Sequence, residues 1–181
     1  MTPEILAAMI GLAVIAPAVW LYNRLVADRN LVRQAYADID VQLKRRADLV
    51  PNLVEAVRAY AAHEKALLTS VAELRAAAIA APKIVERFAH ERDLGERLQH
   101  LVLLQENYPA LKADANFRDL AAKLVEVEDH LQFARRFYNG AVKQYVTRIE
   151  SFPDNLMAKA FRFQPMPFFE TSDRGAVKVE L

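Results

Sequence analysis

Hydrophobic residues beyond position 23 recur at alternating intervals of three and four, as in helices that pack lengthwise on one another. The longest seam consists of Phe117, Leu120, Leu124, Val127, Leu131, Ala134, Tyr138, Ala141 and Tyr145. Prolines, which rarely stand inside a helix, divide this region at positions 51, 82, 109 and 153. The pattern predicts helices near 23–47, 51–81, 83–107 and 114–150. The predicted fold class is all-α, with an antiparallel, up-and-down bundle of about four long helices over residues 23–161.

A separate N-terminal run contains no charged residue. It extends from Ile5 to Tyr22, about 27 Å of helix, which is close to the hydrocarbon thickness of a bilayer. A cleaved signal peptide is one alternative, but Glu4 precedes the run where a signal would have Lys or Arg. A buried core helix is another, but the run has no polar face. We therefore predict a transmembrane helix as a membrane anchor over residues 1–22. Its marker residues are Ile5, Leu12, Val14, Trp20 and Tyr22.

Basic residues follow this run on its C-terminal side. Arg24, Arg29 and Arg33 are candidate contacts for lipid headgroups. The positive-inside rule places the side with these arginines in the cytoplasm. We expect a single-pass protein of a bacterial inner (plasma) membrane, with its N-terminus outside and its bundle in the cytoplasm.

Pro51 allows two arrangements of the first two helical segments. As proline is favourable in a first helical turn, it can mark a turn between two helices. The apolar stripe also continues in phase through Val50, which favours one long helix kinked at Pro51. The hairpin is preferred, since no other segment could cover a helix of about 60 residues. It places Tyr36 opposite Glu64 as an interior polar pair, although a Glu at the edge of a seam can instead turn to solvent.

Composition and charge narrow the function classes. Only four glycines occur, which argues against an all-β fold with its many turns. The chain has no cysteine, so disulfides and thiolate metal sites are excluded. The formal net charge of +1 argues against a nucleic-acid binder.

Motif searches predict no catalytic, cofactor or metal site. No Glu stands three residues before any of the four histidines, as di-metal helical bundles require. Nucleophile elbows and glycine-rich phosphate loops are also missing from the sequence. The cluster Lys44-Arg45-Arg46 is interpreted as a solvated helix end, or as a site for anionic lipid or an acidic partner. Arg135-Arg136 is interpreted as a salt-bridge face. The aromatic region 162–181 is expected to form an extended C-terminal tail that folds back on the bundle or binds a partner.

Several longer motifs resemble those of the LemA family. The most specific are Asp38-Ile39-Asp40-Val41-Gln42-Leu43-Lys44-Arg45-Arg46 and Asp48-Leu49-Val50-Pro51-Asn52-Leu53-Val54. Others are Tyr60-Ala61-Ala62-His63-Glu64-Lys65, Ala134-Arg135-Arg136-Phe137-Tyr138-Asn139 and Phe152-Pro153-Asp154-Asn155-Leu156. The resemblance covers nearly the whole chain. It implies a bacterial membrane protein with one N-terminal span and a bundle of long helices, and it implies no established activity.

The sequence therefore predicts a membrane-anchored helical scaffold or adaptor without catalytic activity. Its expected partners are the lipid bilayer and either a protein partner or a second copy of the chain. Two alternatives stay open. One is a membrane-shaping protein that assembles laterally, and the other is an enzyme or accessory subunit whose polar site forms only in the fold.

Overall fold

The computed structural model describes residues 3–169, apart from the side chains of residues 6–8, 10 and 14. Within this range the α-helices are α1 (Pro3–Tyr60), α2 (Lys65–Ala80), α3 (Ile84–Leu103), α4 (Pro109–Ala113), α5 (Ala115–Glu150) and α6 (Asp154–Ala160). A short 3-10 helix, Leu104–Glu106, follows α3. The described residues contain no β-strand, so the predicted all-α class is confirmed.

Helix α1 continues without interruption through Pro51, so the predicted hairpin is wrong and one continuous helix is correct. Buried residues keep their intervals of three and four on both sides of the proline, at Leu43, Arg46, Val50, Leu53 and Val57. Pro51 itself is exposed and therefore lies on the outer face of the helix. The in-phase seam, which buries one face on both sides of the proline, thus outweighs the helix-breaking tendency of Pro51.

Arg75 replaces a hydrogen bond that Pro51 cannot make. A proline has no N–H, so the carbonyl of Ala47, four residues earlier, loses its helical donor. Arg75 of α2 donates from its Nε to this oxygen at 2.7 Å. A side chain of the neighbouring helix therefore satisfies the carbonyl and helps to keep α1 continuous.

Arg75→Met should lower the free energy of unfolding by about 1–2 kcal/mol, because it leaves the Ala47 carbonyl without a donor. In a Pro51→Ala background the backbone N–H is restored, so the same substitution should cost much less. Urea denaturation of the four members of this double-mutant cycle measures the difference. An equal cost of Arg75→Met in both backgrounds would show that Arg75 does not act through Pro51.

The predicted pair of Tyr36 and Glu64 is wrong because it depended on the hairpin. The Tyr36 ring lies 6.2 Å from the ring of Tyr138, measured between centroids. Glu64, at the N-terminal end of α2, accepts a hydrogen bond of 3.2 Å from the Tyr108 hydroxyl. Each side chain therefore has a different partner from the one predicted.

The N-terminal apolar run forms the first part of α1, a helix of 58 residues, and not a helix of its own. Among residues 3–169, no helix meets the combined requirements of length and apolar character for crossing a membrane. The predicted transmembrane anchor over residues 1–22 is therefore not supported.

The chain divides into two compact units, which are described separately. The first unit comprises residues 1–37 and 136–168. Its buried residues include Leu25, Val32, Ala35, Tyr138, Val142, Tyr145 and Ala158. Two tyrosines of α5 hold the segment that follows α6 through hydrogen bonds to its backbone. The Tyr138 hydroxyl donates to the carbonyl of Pro167 at 2.8 Å, and the Tyr145 hydroxyl donates to the carbonyl of Gln164 at 3.0 Å. Burial raises the pKa of Tyr138 to about 12.

The described residues of the second unit are 38–135 and Phe169. Its apolar core includes Val50, Leu53, Val57, Leu68, Val71, Leu94, Leu98, Leu101, Leu111, Phe117 and Leu124. Helix α5 begins after Asp114, whose Oδ1 accepts the backbone N–H of Phe117 at 2.7 Å, as a capping carboxylate does. This hydrogen bond, together with one from the Tyr60 hydroxyl, lowers the pKa of Asp114. The capping carboxylate is thus held in its charged form. Residues 170–181 of the predicted C-terminal tail lie outside the described residues.

Candidate functional site

The first part of α1 exposes a stripe of large apolar side chains, named here the apolar stripe. Its members and exposed fractions are Ile5 51%, Met9 57%, Leu12 68%, Ile15 61%, Val19 53% and Trp20 59%. At the helical angle per residue, these positions fall within an arc of roughly 140°. Proteins in water rarely expose so many large apolar side chains together, and such a surface marks an interaction site for a membrane or a partner.

The apolar stripe ends beside Arg24, whose guanidinium lies 5.1 Å from the centre of the Trp20 ring. Tyr22 has a different environment, since its ring lies 4.8 Å from the ring of Phe161. Of the other predicted headgroup arginines, Arg29 stacks on Phe163 at 4.9 Å, and Arg33 is exposed. The three arginines that were predicted together as headgroup contacts therefore have different surroundings. The side chain of Val14, a predicted anchor residue, lies outside the described residues.

A cavity of about 570 Å³ in the first unit is lined by Arg24, Lys143 and Arg148. The buried carboxylate of Asp154 also lines it. Arg148 forms an ion pair with the buried Asp28, whereas Lys143 forms no ion pair within residues 3–169. Arg24 likewise forms no ion pair with any described residue, so Arg24 and Lys143 both contribute positive charge that suits a phosphate or carboxylate group.

The second unit contains a cluster of four charged residues, of which Arg46, Glu91 and Arg135 are buried and Glu128 is partly exposed. Arg46 is fully buried, and its Nη1 donates to the carboxylate of Glu128. Its Nη2 donates to the carboxylate of Glu91 and, at 2.7 Å, to the backbone carbonyl of the same residue. A Cβ at Gly95 would lie 3.1 Å from this Nη1, so a glycine leaves room for the guanidinium beside α3. Arg46 is therefore held by two carboxylates and a carbonyl.

Arg135 is the fourth member of the cluster and has no carboxylate partner among residues 3–169. It is 8% exposed, and its guanidinium stacks on the Phe169 ring at 4.4 Å. Burial and the positive charge of Arg46 lower the pKa of Arg135 to about 10, against the raising effect of the nearby Glu128 and Glu91. Within the described part of the chain, its Nε and Nη2 have no hydrogen-bond partner. The positive charge of Arg46 is therefore paired with two carboxylates, whereas that of Arg135 is not paired with a carboxylate of residues 3–169.

Sequence reasoning missed this cluster. The sequence pattern predicts for Lys44-Arg45-Arg46 a solvated helix end, or a site for anionic lipid or an acidic partner, but only Lys44 and Arg45 are exposed while Arg46 is buried. The sequence did indicate that Arg46 is buried, because Arg46 falls in phase with the seam residues Leu43 and Val50. Arg135 was assigned to a salt-bridge face, yet it forms no ion pair within residues 3–169 and also falls in phase with its seam. A charged residue in phase with an apolar seam is thus the pattern that identifies the cluster.

No group of three or more His, Asp or Glu side chains in residues 3–169 could hold a metal ion.

The sequence was compared with known proteins. The model of the LemA family matches residues 35–181. Magnetosome proteins MamQ 1 and MamQ 2 of Paramagnetospirillum magneticum are each 23% identical over 189 residues, which cover 90% of this chain and 70% of the relative. Magnetosome protein MamQ of Magnetospirillum gryphiswaldense is 20% identical over 180 residues, which cover 85% of this chain and 66% of the relative.

Proposed function

The chain belongs to the LemA family, and we propose that it is a non-catalytic helical scaffold held at a bacterial membrane by the apolar stripe of α1. The observation that supports this proposal is the position of the stripe, which ends beside Arg24. Arg24 also lines the cavity of the first unit that contains Lys143 and Arg148, named here the basic cavity. Apolar side chains that adjoin positive charge match the two layers of a membrane surface, acyl chains and anionic headgroups.

Burial of the apolar stripe supplies a favourable free energy of binding to lipid. Each of its side chains is more than half exposed in the folded chain. Transfer of a large apolar side chain from water contributes on the order of 1–3 kcal/mol, so six partly exposed ones contribute several kcal/mol together. Trp20 adds a ring of the type that prefers the boundary between acyl chains and headgroups.

The basic cavity adds a charge-dependent contribution. In this proposal Arg24 and Lys143 bind the phosphate of an anionic headgroup. A Lys or Arg near an anionic membrane contributes about 1 kcal/mol, and the contribution falls with ionic strength. Arg148 remains paired with Asp28 and positions the wall of the cavity.

The variant Arg24→Gln/Lys143→Gln should bind vesicles that contain phosphatidylglycerol about 30-fold more weakly than the unchanged chain, because two headgroup contacts are lost. Binding to pure phosphatidylcholine vesicles should change little. The measurement is vesicle flotation of the full chain at low and high salt.

The matched control for this experiment is Lys112→Gln/Lys123→Gln, which removes the same charge from exposed positions of the second unit. A control that loses as much affinity as the cavity variant would show that net charge, and not the cavity, binds the lipid.

The scaffold part of the proposal rests on the charged residues of the second unit. Arg46 engages both Glu91 and Glu128, so these carboxylates are committed to an ion pair and are unsuited to acid–base work. The proposed role is to position a protein partner, or a second copy of the chain, at the membrane. Confinement to a membrane raises the effective concentration of the scaffold towards such partners.

A further inference from the structure

A cavity of about 410 Å³ lies between α3 and α5 in the second unit. Part of its wall is apolar, with Leu98, Val102 and Leu124. Leu103 and Val125 also line it, and they are 53% and 56% exposed. Another part of the wall is formed by Arg46, Glu128 and Arg135. A volume of several hundred Å³, an apolar lining and a few polar groups are typical of small-molecule sites.

The polar wall of this cavity contains an unsatisfied donor pair. In an arginine, Nε and Nη2 lie on the same edge of the guanidinium, the edge that can donate two parallel hydrogen bonds to one carboxylate. Neither atom of Arg135 has a hydrogen-bond partner among the residues that the structure describes, although Arg135 is only 8% exposed. The Phe169 ring covers the flat face of this guanidinium and offers nothing to its edge.

The two nearby carboxylates of the cluster accept no hydrogen bond from the Nε–Nη2 edge of Arg135. Glu91 and Glu128 are bound to Arg46, which also repels the charge on Arg135 and lowers the pKa of Arg135. A buried guanidinium whose donors are unpaired is unfavourable. An added carboxylate would remove that penalty while the apolar wall accommodates the group attached to it.

We propose that this cavity binds a small monocarboxylate with an apolar body, its carboxylate on the Nε–Nη2 edge of Arg135 and its apolar part against Leu98 and Val102. Since both donor atoms are covered from solvent, binding requires the guanidinium to turn into the cavity that it lines. A single negative charge suits the site better than a dianionic phosphate, because Glu96, Glu128 and Asp129 also line the cavity.

The test is a titration of the full chain with hexanoate, by isothermal calorimetry and by saturation-transfer NMR, in the absence of vesicles. Arg135→Gln should weaken binding at least tenfold, since charge-assisted hydrogen bonds are lost. Arg135→Lys retains the charge but not the two-donor edge, so it should also bind more weakly. Arg97→Gln is the matched control, an exposed arginine of α3 that does not line the cavity, and it should bind as the unchanged chain does.

Two further ligands make each outcome decisive. Hexanol has the same apolar body without the charge and should not bind measurably, and hexyl phosphate should bind less tightly than hexanoate. Equal binding of hexanoate and hexanol by the unchanged chain, or tighter binding of hexyl phosphate, would overturn the proposal even if the Arg135 variants fail to fold. Undiminished hexanoate binding by folded Arg135→Gln would overturn it as well. Because no lipid is present, these outcomes leave the membrane proposal untouched.

Discussion

Arg46→Met is expected to lower the free energy of unfolding by about 3–5 kcal/mol. Arg46 is fully buried and is the ion-pair partner of Glu91, which is only 3% exposed. Removal of the guanidinium leaves that buried carboxylate without its ion-pair partner. The measurement is urea denaturation followed by circular dichroism. Glu128 should matter less, since its side chain is 31% exposed and can turn towards water.

Arg45→Met is the matched control for this prediction, because Arg45 is the exposed neighbour of Arg46 on the same helix. It should change stability by less than about 0.5 kcal/mol. The double variant Arg46→Met/Glu91→Met should recover most of the loss, since the Glu91 carboxylate is then no longer buried without its partner. A loss below about 1 kcal/mol for Arg46→Met would contradict the account of the cluster.

Leu12→Lys/Ile15→Lys should reduce binding to phosphatidylcholine vesicles by about 100-fold or more, as a charged side chain in the acyl region costs roughly 2.5–3.5 kcal/mol. Both side chains are exposed in the folded chain, so the variant should keep its helical circular dichroism and its stability. Zwitterionic lipid is chosen so that the added positive charge brings no attraction of its own. The loss then reports contact between the apolar stripe and the acyl chains.

The control for the lysine pair is Val41→Lys/Val85→Lys, which adds the same charge at positions 54% and 60% exposed in the second unit. It should bind vesicles as the unchanged chain does. In cells that lack the protein, the Leu12→Lys/Ile15→Lys variant should fail to restore function although it is folded, because a scaffold must act at the membrane. Full restoration would instead indicate an enzyme that acts on a soluble substrate.

The sequence predicted the helical class because the spacing of apolar residues is a local and repeated signal. The extent of α1 was harder to predict, since two signals conflict at Pro51. The missing N–H favours a break, whereas the seam favours continuity. Arg75, which reaches the Ala47 carbonyl from another helix, adds to the side of continuity. No local pattern contains such a contact between residues distant in sequence.

The same limit applies to the candidate sites. The apolar run up to Tyr22 was evident from composition, but its arrangement as a stripe on a longer helix required the structure. Arg24 could be named from sequence as a headgroup contact, but its neighbour Lys143 comes from α5, far along the chain. The pairing of Arg46 with Glu91 likewise joins α1 to α3. The positions of single residues on a helix face are predictable, whereas partners on other helices are not.

Contact between the apolar stripe and lipid can be measured most directly with Trp20, the single tryptophan of the chain. Its ring is 59% exposed, so in buffer its fluorescence emission should lie at long wavelength. On addition of vesicles the account predicts a shift to shorter wavelength, together with quenching by phosphatidylcholine that is brominated on its acyl chains. Emission that stays unshifted, with no quenching by brominated lipid at saturating vesicle concentration, would contradict the proposal that the stripe holds the protein at a membrane.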